Sequence, residues 1–99
     1  MNNTVPSIQQ AVDSAGKEIP NGGDTNECTV YFSGSAAPGA QMDLTVSGTP
    51  EAGGSKADDL GIWHVQFQTY NNDYGLKTFK AVSRTEVSSP WVINFKPKL

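Results

Sequence analysis

The residue types that could carry chemistry are few in this chain. His64 is the only histidine and Cys28 the only cysteine, so a histidine-based metal cluster, an internal disulfide and a cysteine-rich metal site are excluded. A Ser-His-Asp arrangement would need His64 as its base. The residues around His64 alternate in a way that places it in mid-strand, opposite the core face, and no Gly-x-Ser-x-Gly segment accompanies it. We expect an exposed histidine, a partly buried thiol and no catalysis.

The carboxylates are concentrated at predicted turns, where aspartate is favoured because it hydrogen-bonds locally. Calcium needs about six to eight converging oxygens, and the spacing here matches no calcium loop. Asp43 and Glu86 lie in strand regions, but nothing brings them together as a glycosidase pair. We therefore expect structural turn residues, with three metal candidates as the alternative: Asp13, Asp58 and Asp59.

The segment 70–75, Tyr-Asn-Asn-Asp-Tyr-Gly, combines aromatic rings with amide and carboxylate groups. That chemistry suits a sugar-binding loop, with Tyr70, Asn72 and Tyr74 as ligand candidates, because loops often carry binding residues. The competing interpretation, which we favour, is a polar hairpin turn whose tyrosines pack on the rim. We likewise expect Trp91 to pack in the core or at an edge rather than serve as a sugar platform.

Size and charge limit the functions available. Ninety-nine residues form one small domain, predicted over residues 5–96 with flexible boundaries at 1–4 and 97–99. The net charge of −3 creates no field that would attract nucleic acid. No apolar run approaches the ~18 residues of a membrane span, and no leader pattern is present. No cofactor is implied, and we expect a piece of a longer protein that is monomeric when excised.

Period-two alternation dominates the chain. From Ile62 onwards, Trp63, Val65 and Phe67 fall on one face and polar residues fall on the other. Similar strands are predicted over residues 5–12, 28–33, 41–47, 76–83 and 91–95, with a short edge strand near 56–57. Gly34 to Gly39 and Asn21 to Asp24 are predicted to break strands. The expected core anchors are Trp63, Phe32, Leu44 and Phe79.

No stretch repeats apolar residues at helical spacing over two turns. About seven short strands separated by turn residues are typical of an all-β, antiparallel β-sandwich. Their count and spacing match an immunoglobulin-like, Greek-key topology without a disulfide. An open Greek-key barrel is the structural competitor.

The order of the turn motifs resembles the immunoglobulin-like repeat modules of large bacterial surface proteins and adhesins. The motifs are Asp13-Ser14-Ala15-Gly16, Gly22-Gly23-Asp24-Thr25, the run from Gly34 to Gly39, Gly61-Ile62-Trp63, and Thr78 to Ala81 followed by Ser89-Pro90-Trp91. The resemblance extends from about Pro6 to Phe95. It implies a non-catalytic spacer in an exported chain at a bacterial cell surface, with neighbouring domains of the same polypeptide as partners. The alternatives are a carbohydrate-binding module and a protein-interaction module that uses a strand edge.

Overall fold

A computed structural model describes residues 6–46, 49–69, 74–83 and 86–97, with the backbone alone for residues 49–52. This part of the chain contains strands and no helix, which confirms the all-β prediction. The predicted flexible end at 1–4, and residues 98–99 of the one predicted at 97–99, lie outside the described residues. The strands are β1 (Ser7–Asp13), β2 (Gly23–Thr25), β3 (Thr29–Ser35), β4 (Gln41–Val46), β5 (Thr49–Lys56), β6 (Ile62–Gln68), β7 (Gly75–Ser83), β8 (Glu86–Val87) and β9 (Trp91–Phe95).

The strands form two sheets. One has the order β1-β3-β6, and the other has the order β2-β9-β7-β4-β5, with β8 added to the end of β7. All paired strands are antiparallel except β2 and β9, which are parallel. The prediction of a purely antiparallel fold is therefore corrected at this pair. The count exceeds the predicted seven because β2 and β8 have only three and two residues, too short to show alternation.

One apolar core lies between the sheets in a sandwich-like arrangement. Along β6, Trp63, Val65 and Phe67 are buried while the residues between them point outward. The rings of Phe32 in the three-stranded sheet and Phe79 in the other lie 4.6 Å apart between centroids. The four expected core anchors, Trp63, Phe32, Leu44 and Phe79, are each at most 1% exposed.

Glycines account for two errors in the predicted strands. Gly34 was expected to end its strand, yet β3 continues through it to Ser35. A side chain at position 34 would overlap the Ser7 carbonyl oxygen and lie 2.7 Å from the Trp63 indole. Only glycine can therefore occupy this position of the strand. The predicted short edge strand near 56–57 is the eight-residue β5, which keeps its pairing with β4 through Gly53 and Gly54.

The segment expected to break at Asn21 to Asp24 instead contains the start of β2. Glycine and aspartate are intrinsically disfavoured in strands. The segment is nevertheless a strand, because hydrogen bonds with β9 and the residue after it hold it in the parallel pairing. The Gly22 N–H donates to the Val92 carbonyl oxygen at 2.7 Å, and the Lys96 N–H donates to the Thr25 carbonyl oxygen at 2.9 Å.

The described chain enters the fold at one end and leaves it at the other. Ser7 in β1 pairs with Ser35 at the end of β3, which pairs with Ile62 at the start of β6. β9 runs the opposite way from β7 and ends with Phe95 opposite Gly75, the first residue of β7. We call the end with Ser7, Ser35 and Ile62 the entry end, and the end with Phe95 and Gly75 the exit end. The 36–40 and 57–61 connections lie at the entry end, and the 26–28 connection lies at the exit end.

Candidate functional site

Two aspartates close turns of the same design. Asp13 Oδ1 accepts hydrogen bonds from the backbone N–H groups of Ala15 and Lys17, each at 3.0 Å. Asp58 Oδ1 accepts from those of Leu60 and Ile62 at 2.9 and 3.0 Å. Both turns have the pattern Asp-x-x-Gly, and the glycine in each has a positive φ of 86° or 80°.

The two turns differ in their surroundings. Asp13 is buried, and its second carboxylate oxygen accepts a hydrogen bond from the Thr25 hydroxyl at 3.1 Å, which joins β1 to β2. Asp58 is exposed. The hydrogen bond from the Ile62 N–H and that from the Leu60 N–H hold the pKa of the Asp58 carboxyl below its usual 3.8.

The metal candidates do not converge. Asp13 lies at the exit end, whereas Asp58 and Asp59 lie at the entry end, so they cannot share an ion. Nowhere in the described ranges do three or more His, Cys, Asp or Glu residues form a group that could hold a metal. The hydrogen bonds assign Asp13 and Asp58 to turn closure.

His64 is exposed on the outer face of the three-stranded sheet, opposite Ser33 of β3. The Ser33 hydroxyl donates to Gln10 Oε1 at 3.5 Å, and no hydrogen bond links it to the imidazole. Cys28 is half-buried just before β3. Within the described ranges, neither Ser33 nor Cys28 is hydrogen-bonded to the His64 imidazole as an activated nucleophile would be.

The outer face around His64 contains a shallow hollow of about 410 Å³. Tyr31 is 48% exposed there, on the polar face that the alternation predicts for β3. In the 70–75 segment, for which a polar hairpin turn is favoured over a sugar-binding loop, Tyr70, Asn71, Asn72 and Asp73 lie outside the described residues. Its last tyrosine, Tyr74, is exposed.

Trp91 lies between two further hollows. One has a volume of about 190 Å³ and lies between β1 and the 18–20 segment; the other, of about 360 Å³, lies at the entry end. The indole is half-buried and packs against the core, consistent with the packing role expected for it. Its Nε1 is fully shielded from solvent, and no acceptor lies within hydrogen-bonding distance among the described residues.

Side chains at both ends of the parallel β2–β9 pair reinforce it. The Asn21 amide donates to the Pro90 carbonyl oxygen at 2.9 Å and accepts from the Val92 N–H at 2.8 Å. Lys96 Nζ lies 2.8 Å from Asp24 Oδ2. The hydrogen bond between the Lys96 ammonium and the Asp24 carboxylate, together with the charge of Lys96, lowers the pKa of the Asp24 carboxyl. We call these interactions the β2–β9 clasp.

Sequence reasoning predicted a structural turn at Asp58, and its Asp-x-x-Gly spacing repeats that of Asp13. It missed the clasp, because Asn21 and Val92 are 71 residues apart in sequence and no local pattern marks them as partners.

Comparison with protein-family models, curated proteins and solved structures found no match to this chain. No helix long and apolar enough to cross a membrane occurs in the described ranges.

Proposed function

We propose that this chain is a non-catalytic structural module of immunoglobulin-like topology, a spacer or repeat unit within a longer exported protein of the bacterial surface or adhesin type. The observation that carries the proposal is the position of the ends. The described chain enters beside Ser7 and leaves beyond Phe95, at opposite ends of the sandwich. Such a module extends a polypeptide by its own length, and its partners are the neighbouring domains.

The strand order supports the immunoglobulin-like assignment. In the lettering of that fold, β1, β3 and β6 correspond to strands A, B and E, and β5, β4, β7 and β9 to C′, C, F and G. No ladder joins the two sheets within the described residues, which favours a sandwich over an open barrel. The same strand order also favours the fold of the bacterial surface modules that the turn motifs resemble.

The clasp suits a module that carries tension. Tension at the two ends pulls β2 towards the entry end and β9 towards the exit end. Because β2 and β9 are parallel, this loads their hydrogen bonds together, in shear, rather than one after another. The Asn21 amide and the Asp24–Lys96 pair, at the two ends of the clasp, oppose that sliding.

Single-molecule force spectroscopy on tandem copies of residues 1–99, pulled through their ends, tests the proposal. We expect Asn21→Ala to lower the unfolding force, since it removes two hydrogen bonds that cross the clasp. Gln68→Ala, an exposed change on β6 outside the clasp, is the matched control and should leave the force unchanged. Equal unfolding forces for Asn21→Ala and the parent would contradict a tension-bearing role.

A further inference from the structure

We propose that Asn21 is a self-modification site whose amide is stable while the β2–β9 clasp is closed and converts irreversibly to a carboxylate once the clasp opens. This inference goes beyond the spacer function. Asn21-Gly22 is the only Asn-Gly pair in the chain. The pair lies in the turn that leads into β2, which the Gly23 N–H closes by donating to the Pro20 carbonyl oxygen at 2.8 Å.

An asparagine that precedes a glycine can lose its side-chain amide without an enzyme. Once base has removed the N–H proton, the Gly22 backbone nitrogen attacks Asn21 Cγ and forms a cyclic succinimide. The Cγ–Nδ2 bond breaks, and the NH2 group takes a proton from water and leaves as ammonia. Water then opens one of the two ring carbonyl groups, which gives aspartate or isoaspartate. Glycine favours ring closure because it has no side chain to obstruct the approach.

The closed clasp blocks this reaction at both reacting groups. The Gly22 N–H donates to the Val92 carbonyl oxygen at 2.7 Å, so the electron pair that the nitrogen would use for attack is directed at that oxygen rather than at Cγ. The Asn21 amide is itself held by the Pro90 carbonyl oxygen at 2.9 Å and the Val92 N–H at 2.8 Å. Ring closure therefore requires that the hydrogen bonds to residues 90–92 open first.

Hydrogen bonding, and not burial, protects the pair. Asn21 and Gly22 are both exposed, and no heavy atom lies within 4 Å of the position that a side chain at residue 22 would occupy. Water and base reach the two residues as soon as the hydrogen bonds to residues 90–92 open. The rate of amide loss therefore reports the fraction of time for which this end of the clasp is open.

The product cannot restore the clasp. Aspartate at position 21 has no N–H to donate to the Pro90 carbonyl oxygen, and a carboxylate oxygen faces that carbonyl instead. Isoaspartate adds a methylene group to the main chain, which displaces Gly22 from Val92. Opening of the clasp at this end thus becomes permanent once the amide has been lost.

The first test follows the Asn21 amide in protein of residues 1–99 kept in mildly alkaline buffer, which promotes loss of the N–H proton. The same protein unfolded in urea and the free peptide of residues 18–25 supply the unprotected rate. Peptide mass spectrometry distinguishes the amide from the acid. We expect conversion in the folded protein to be at least about tenfold slower than in either reference, because several hydrogen bonds must open first.

The second test examines the product through Asn21→Asp. Hydrogen exchange, followed by NMR on ¹⁵N-labelled protein and corrected for intrinsic rates, should show roughly tenfold less protection of the Gly22 N–H than in the parent. Asn26→Asp makes the same change of charge at an exposed residue just after β2 and is the matched control. Its Gly22 protection should equal that of the parent.

Two results would each overturn the proposal. One is that the folded protein loses the Asn21 amide as fast as the unfolded protein and the peptide do. The other is that Gly22 is protected equally in Asn21→Asp and the parent. The incubation uses no variant, so it decides the matter even where Asn21→Asp does not fold. Neither test applies force, and the spacer proposal is therefore tested separately.

Discussion

Trp63 shows at the scale of one residue how a large side chain obtains its space in a small core. The indole is fully buried, and the strand beside it carries Gly34, whose missing side chain leaves room for the ring. The Ser35 carbonyl satisfies the indole N–H. Tryptophan and glycine thus form a complementary pair across β3 and β6.

Trp63→Ala should leave the domain marginally folded or unfolded. Removing a buried tryptophan side chain costs about 3–5 kcal/mol, against a total stability of roughly 5–15 kcal/mol for such a domain. Tyr31→Ala removes an aromatic ring that is 48% exposed and is the matched control, with a much smaller effect expected. Thermal melts followed by circular dichroism measure both. A cooperative Trp63→Ala transition within a few degrees of the parent's would show that the indole contributes little.

Gly34→Ala should destabilise the fold by at least the roughly 1–3 kcal/mol of an overpacked core. The new methyl group would meet the Ser7 backbone, which cannot rotate away as a side chain could. Urea unfolding measures the loss. Gly39→Ala is an informative companion, since position 39 has open space around it and its cost comes only from a φ of 75°. Equal stability of Gly34→Ala and the parent would mean that β1 shifts away from β3 at little cost.

At the scale of the element, strands with regular alternation were predictable and short or glycine-bearing ones were not. β4, β6 and β9 carry enough alternating residues to define an inward face. β2 and β5 do not, because their pairing is decided by the neighbouring strands rather than by their own composition. The candidate site was predictable only in part. The turn-closing carboxylates follow from local spacing, whereas the hollows beside Trp91 require β1 and β9 to meet.

The turn at Asp58 predicts an acid-sensitive contribution to stability. Its folded pKa lies below the unfolded value of about 3.8 because backbone N–H groups favour the ionised form. The unfolded state therefore binds more protons in this range, and stability falls as the pH drops below about 4. We expect urea midpoints between pH 2 and 6 to fall less in Asp58→Asn than in the parent. Asp59→Asn removes the neighbouring exposed carboxylate and is the control; an identical acid response in Asp58→Asn and the parent would contradict this role.

At the scale of the molecule, the two ends determine how copies would combine. Of the five large apolar side chains that are exposed in the described part of the chain, four lie at these ends: Leu60 and Val87 at the entry end and Tyr74 and Leu76 at the exit end. A module that follows another through its chain meets it end to end. Apolar groups at both surfaces favour a contact there over free rotation.

Two copies of residues 1–99 in tandem should scatter X-rays as an elongated particle about twice as long as one copy, because entry and exit ends alternate along the chain. Leu60→Ser combined with Leu76→Ser, both on exposed residues, should increase the flexibility of the tandem without unfolding either copy. Small-angle scattering measures both effects, and melting of a single copy is the control. A compact, side-by-side tandem would contradict the end-to-end arrangement.

The parallel pairing of β2 and β9 has a consequence for the order in which the chain can fold. Residues 23–25 reach their partners only after residues 91–95 exist, and neither the second sheet nor the clasp can be completed earlier. Contacts between such distant segments form slowly, since a long loop must close first. A polypeptide of this design stays open until its last strand has been synthesised, which would keep it threadable through a translocation channel if it is exported as we propose.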